Sequence, residues 1–119
     1  MKTYNNVRAE TGNIIVKQGD KFDLAMDIYQ VSDSGVETAK NLTDKTVRME
    51  VRATKTGAVV LTLASPTTIT ISGDDSNRIT FNTIITLDEG EYYYDIQIDE
   101  DSYTIRQGML IVKVQITDD

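Results

Sequence analysis

Apolar and polar residues alternate with a period of two along much of this chain. Phe22, Leu24, Met26 and Ile28 interleave with Asp23, Ala25, Asp27 and Tyr29, which predicts a strand with one apolar face. Val47, Met49 and Val51 interleave with Arg48, Glu50 and Arg52, predicting a second strand whose polar side chains share a solvent face. Residues 13–17 carry Ile14, Ile15 and Val16 and stop at Gln18-Gly19-Asp20, a turn composition. Residues 59–63 follow Lys55-Thr56-Gly57 as a hairpin return, closed by Pro66. Residues 68–71 and 79–81 flank the hairpin loop Gly73-Asp74-Asp75-Ser76-Asn77. Residues 92–98 and 109–116 form the last pair, joined across Asp99-Glu100-Asp101-Ser102.

That is a layout of seven to nine short strands with turn signals about every 8 to 12 residues, the pattern of a sandwich or barrel. No long window holds an apolar period of 3.6, so residues 83–89 are expected to hold one helical turn at most. Residues 1–12 are polar and lack clean alternation. They are read as an N-terminal arm or irregular strand, with residues 13–119 as the domain. The expected core takes Phe22, Leu24, Met26; Val47, Met49, Val51; Ile79, Phe81; Tyr92, Tyr94, Ile96; and Leu110, Val112, Val114.

Composition agrees with sheet, since Thr, Ile and Val supply 39 of the 119 residues. A chain of this length holds one core and needs no disulfide to close it. Its cysteine count is zero, which leaves the compartment open. Histidine is absent too, so the usual proton-transfer imidazole, thiol nucleophiles and soft metal ligands are all missing. The net charge of −7 repels phosphate backbones and argues against nucleic-acid binding. No stretch approaches the ~20 apolar residues that span a bilayer. The first residues lack the apolar centre of a signal peptide, so the chain is expected to stay in the cytosol or leave it by lysis or assembly.

The best-formed local signal is Leu87-Asp88-Glu89-Gly90-Glu91-Tyr92-Tyr93-Tyr94-Asp95-Ile96. Tyr92 would begin the penultimate strand of a sandwich, with Gly90 permitting the tight crossing before it. Its ring would be buried and its hydroxyl would bond a backbone group a few residues upstream, the arrangement called a tyrosine corner. Tyr92, Tyr94, Ile96 and Ile98 share one face, and Tyr93, Asp95 and Gln97 the other. Tyr94 would fill inter-sheet space that a disulfide bridges in immunoglobulin domains. Gly108 interrupts the last strand and suggests a bulge.

This layout resembles a family of small immunoglobulin-like domains in tailed-bacteriophage virion proteins. The matching segments are Val-Arg-Met-Glu-Val-Arg within residues 46–52, Gly-Ala-Val-Val-Leu-Thr-Leu at 57–63, Tyr-Tyr-Tyr-Asp-Ile-Gln within 87–97, and the terminal strand at 108–116. Residues 99–103 replace the longer Gly-containing loop usual in that family. The resemblance implies an immunoglobulin-like antiparallel β-sandwich in a structural or accessory protein of tail, neck, baseplate or head decoration. It also implies other virion proteins as partners, several symmetry-related copies, no cofactor and no catalytic site.

The remaining polar residues offer little other chemistry. The acidic residues cluster at turns, where Asp is favoured for local hydrogen bonding, rather than in a paired general acid/base arrangement. A Ca²⁺ site from Asp99, Asp101 and a second loop lacks the spacing of the twelve-residue calcium loop. Asn41-Leu42-Thr43 fits a glycosylation sequon without a secretory signal. The alternative function is a stand-alone module binding a cell-surface glycan or protein. A glycan binder should expose aromatics, and the chain has no Trp, with Tyr4, Tyr29, Tyr93 and Tyr103 as its exposed candidates.

Overall fold

A computed structural model describes residues 2–4, 10–101 and 103–114, and among these no residue is helical. In chain order the strands are β1 (Lys2–Tyr4), β2 (Glu10–Thr11), β3 (Ile14–Lys17), β4 (Lys21–Phe22) and β5 (Ala25–Val31). Next come β6 (Glu37–Ala39), β7 (Val47–Arg52), β8 (Val59–Ala64) and β9 (Ile69–Ser72). The last are β10 (Arg78–Phe81), β11 (Thr83–Ile84), β12 (Gly90–Ile98) and β13 (Tyr103–Lys113). One sheet runs β1-β5-β10-β9, with β6 also on β5; the other runs β2-β13-β12-β7-β8, with β3 also on β13. A short β4–β11 ribbon stands beside them. β1 lies parallel to β5, and β2 and β3 parallel to β13, while the remaining pairs are antiparallel.

The period-two pattern produces the core between these layers. Val47, Met49 and Val51 of β7 and Tyr94, Ile96 and Ile98 of β12 are buried, as are Met26 and Ile28 of β5 and Ile79 and Phe81 of β10. The rings of Phe22 and Phe81 meet with centroids 5.2 Å apart. The result is an immunoglobulin-like β-sandwich, all-β as the alternation predicts.

Several expectations need correction. The apolar run from Phe22 to Ile28 is two strands rather than one. β4 pairs with β11, and the ladder with β10 starts at Ala25, with Phe81 N–H donating to the Leu24 carbonyl at 2.9 Å. Residues 83–89 form no helical turn, because Thr83 and Ile84 give their backbone to β4 and Gly19 N–H donates to Ile85 C=O at 2.8 Å. Val114 is 45% exposed rather than core, since it lies one residue past Lys113, where pairing with β3 stops. Leu24 and Tyr92 are half-buried against the core. Leu42 and Ile85 are fully buried from segments between strands, where no alternation announces them.

The last strand also differs in its irregularity. Gly108 pairs in register with Tyr94, and the register shift falls where Ile96 faces Arg106 and Gln97 faces Thr104. The extra residue is therefore Ile105, not Gly108. Because the irregularity lies upstream, Leu110 and Val112 keep the inward parity expected of them. Of residues 1–12, the described ones give β1 to one sheet and β2 to the other. The end of the terminal strand at 115–116 and the acidic tail lie outside the described residues.

Candidate functional site

β12 lies between β13 and β7, so side chains on both of its faces meet neighbouring strands. On the inward face, Tyr92 O–H donates to the Asp88 carbonyl at 2.7 Å. Gly90 opens β12 opposite Val112, and a Cβ there would make ordinary contact with the Tyr92 ring at 3.6 Å. Leu87 packs against the core, and its carbonyl accepts from Gln18 Nε2 at 3.1 Å. These bonds tie the turn before β12 to the strand and to the loop after β3.

Tyr94 does more than fill space. Its buried hydroxyl donates to the Gly12 carbonyl at 2.7 Å and accepts from Arg106 Nε at 3.0 Å. Burial pushes the phenol pKa up, and the Arg106 charge pulls against that shift. Gly108 stands opposite Tyr94, and a Cβ on it would collide with the Gly12 backbone. The missing side chain makes room for the Gly12 carbonyl that Tyr94 holds. Gly12 and Arg106 were not singled out from the sequence, since nothing local relates them to Tyr94.

The outward face follows from register. Tyr93 stands between Arg52 and Met109, Asp95 between Glu50 and Gln107, and Gln97 between Arg48 and Thr104. A groove of about 640 Å³ opens here, lined in part by Arg52, Lys55, Tyr93, Asp95, Gln107 and Met109. Lys55 Nζ lies 5.9 Å from the Tyr93 ring centroid. Arg52 bridges Glu50 at 3.0 Å and Asp95 at 3.5 Å. Desolvation raises the Asp95 pKa, Arg52 opposes it, and Glu50 adds to it. Arg48, Glu50 and Arg52 are thus half-buried ion-pair partners rather than a freely solvated face.

The acidic turns are occupied by cations and backbone. Asp99 pairs with Arg48 at 2.7 Å, and Asp101 with Lys45 at 2.9 Å and Lys40 at 3.4 Å. Glu100 accepts from Thr46 N–H at 2.6 Å and from Thr46 Oγ1 at 3.0 Å. The hydrogen bond from Lys45 holds Asp101 below the usual carboxylate range, and the Thr46 N–H does the same for Glu100. Asp74 and Asp75 sit on an exposed hairpin tip. Among the described residues no group of three or more carboxylates is placed to hold a metal ion.

No protein-family model matches the chain, and no curated protein matches it either. Solved structures similar to it include the RIG-5 IG1 homodimer, at 14% identity and TM-score 0.34, covering 90% of this chain and 91% of that one. Dpr1 IG1 bound to DIP-eta IG1 is similar at 14% identity and TM-score 0.32, covering 87% and 89%. The ZIG-8–RIG-5 IG1-IG1 heterodimer is similar at 14% identity and TM-score 0.31, covering 91% and 84%. At these identities and scores the likeness brings no partner or activity to this chain.

Proposed function

We propose that this chain is a non-enzymatic structural or accessory domain of a bacteriophage virion, attached to a larger tail, neck, baseplate or capsid protein. The supporting observation is where the resembling segments fall. Those at 46–52, 57–63, 87–97 and 108–114 are, respectively, β7, β8, β12 and β13, four strands that neighbour one another in one sheet. A likeness scattered over unrelated surfaces would carry less weight than one concentrated in a single packed layer. In this reading the work is contact.

In this reading attachment runs through open sheet edges rather than through the N-terminal segment. Residues 2–4 and 10–11 are already paired with β5 and β13, so they are not a free arm for a partner. Among the described residues open sheet edges remain, and edges bind through main-chain hydrogen bonds without needing a large apolar patch. Mass spectrometry of purified intact particles tests the reading: the chain should be present at a fixed ratio to the major structural proteins. Repeated failure to find it there, in the particle its genome encodes, refutes the proposal.

A second reading, a stand-alone module for a cell-surface glycan or protein, is favoured by the groove around Tyr93 and Lys55. Binding to host cells that is lost in Tyr93→Ala, with particles lacking the protein, would select it.

A further inference from the structure

β3 lies at one end of the six-stranded sheet, and among the described residues only β13 pairs with it. Two bonds fix the direction of its backbone groups. Gln18 N–H donates to the Lys113 carbonyl at 2.8 Å, and Gly12 N–H donates to the Gln107 carbonyl at 3.1 Å. Direction alternates along a strand, so counting from either bond puts Ile14 and Val16 toward β13. Ile15 and Lys17 therefore turn their backbone groups to the open side. Both are exposed, Ile15 by 65%. The Lys17 carbonyl accepts from Asp20 N–H at 3.1 Å. What the edge offers is Ile15 N–H, Ile15 C=O and Lys17 N–H.

The side chains say what such an edge would accept. Val16 is buried, so Ile15 and Lys17 share the outward face. Lys17 is paired in register with Lys113, also exposed, and like charges so placed are destabilising. Lys40, Lys45, Arg48, Arg52 and Arg78 each bridge a carboxylate at 3.5 Å or less. Among the described residues Lys17 and Lys113 bridge none, and Glu91, opposite Ile111 on the same face, reaches neither. We propose that the β3 edge receives an extended segment of a partner protein. That segment sets a carboxylate beside Lys17 and, two residues away, an apolar side chain beside Ile15.

Charge selects this occupant. A lysine on an edge turns away most strands, and the same charge admits an acidic one. Pairing with β3 of a second copy would leave the lysines uncompensated, because residues 13–17 contain no acid. An anion without a peptide backbone would leave Ile15 N–H and C=O unused. The added strand answers all three features at once, through main-chain bonds, a carboxylate between two lysines and cover for Ile15. The inference rests on the reading that attachment runs through sheet edges. Its test needs no particle, so failure here is separable from absence of the chain from virions.

Nuclear magnetic resonance titration of the purified chain with the synthetic peptide Thr-Val-Thr-Glu-Thr-Val tests this. Contact along one short strand is weak, so saturation is expected at millimolar peptide. Shifts should fall on the amides of Ile15 and Lys17, with slower hydrogen exchange at Ile15. Lys17→Glu should weaken binding about tenfold or more, and should restore it toward a peptide with lysine in place of the glutamate. Ile15→Pro removes an N–H that β13 does not use and should weaken binding similarly. Lys17→Glu decides the matter if circular dichroism shows that the proline variant loses its sheet. Sodium glutamate that reproduces the peptide's shifts and affinity would reveal a bare anion contact. That result, no shift at Ile15 and Lys17, or binding indifferent to Lys17→Glu overturns the proposal.

Discussion

The hydroxyl of Tyr94 donates to the carbonyl of Gly12, 82 residues earlier, at 2.7 Å. That carbonyl rests against the α-carbon of Gly108, and Arg106 Nε donates back to the same hydroxyl at 3.0 Å. Four residues from three segments thus fix the point where the chain enters the six-stranded sheet between β2 and β3.

Gly108→Ala should therefore be costly. The added methyl meets backbone rather than a flexible side-chain end, so the Gly12 segment must shift. Overpacking of this kind costs about 1–3 kcal/mol, read as a lower urea midpoint. A midpoint equal to wild type would show that the segment moves without penalty.

The three adjacent tyrosines should separate under the same substitution. Tyr94→Phe leaves the Gly12 carbonyl and Arg106 Nε without their buried partner, a loss of about 1–3 kcal/mol. Tyr92→Phe removes a more exposed bond to Asp88 C=O and should cost about 0.5–1 kcal/mol. Tyr93→Phe should be near neutral, because its hydroxyl is on the outward face. Equal unfolding midpoints for all three would remove these hydroxyls from the account of stability.

Asp95 should act against stability at neutral pH. Its pKa is raised in the fold, chiefly by desolvation, so the ionised form costs folding energy above that pKa. The cost disappears as pH falls below the unfolded value of about 4, where both states are protonated. Asp95→Asn should raise the thermal midpoint at pH 7, with the gain shrinking on acidification. A gain independent of pH would mean that packing, not charge, explains it.

Asp101 and Glu100 run the other way. Their pKa values are lowered in the fold, so their contribution is present above the unfolded value of about 4 and is lost as pH falls through the folded one. Asp101→Asn should cost about 0.5 kcal/mol at pH 7 and low salt, because Lys40 and Lys45 lose a partly exposed partner. The difference should fade below pH 4 and at high salt. A difference that persists in acid would contradict the ion-pair account.

A buried residue from outside the strands offers the plainest core test. Leu42 is fully buried, and its N–H donates to the Ser76 carbonyl at 2.9 Å. Leu42→Ala should cost about 2–5 kcal/mol by thermal or chemical denaturation. A loss below ~1 kcal/mol would show that the site collapses around the smaller side chain.

Local order was written in the chain. Period-two alternation in 47–52 and 92–98 set which side chains face inward, because successive residues of a strand point to opposite sides whatever lies beside them. The turn residues at 73–77 likewise placed the β9–β10 hairpin. Alternation is silent where the chain is not a strand, so Leu42 and Ile85 escaped notice. It is also blind to the choice of neighbour, so nothing local distinguished one strand over 22–28 from two pieces with different partners.

Tertiary structure decided the rest through proximity between distant residues. The glycine at 108 looked like a bulge by itself, yet its role is to admit the backbone of Gly12, and the extra residue sits at Ile105 instead. Tyr94 could be read as a buried ring, but its hydrogen-bond partners come from the start of the chain and from the adjacent strand. Arg48, Glu50 and Arg52 had the polarity of a solvent face until register set them against Asp95 and Asp99. Side-chain direction is a property of one strand, whereas pairing, burial and charge compensation belong to whichever strands pack together.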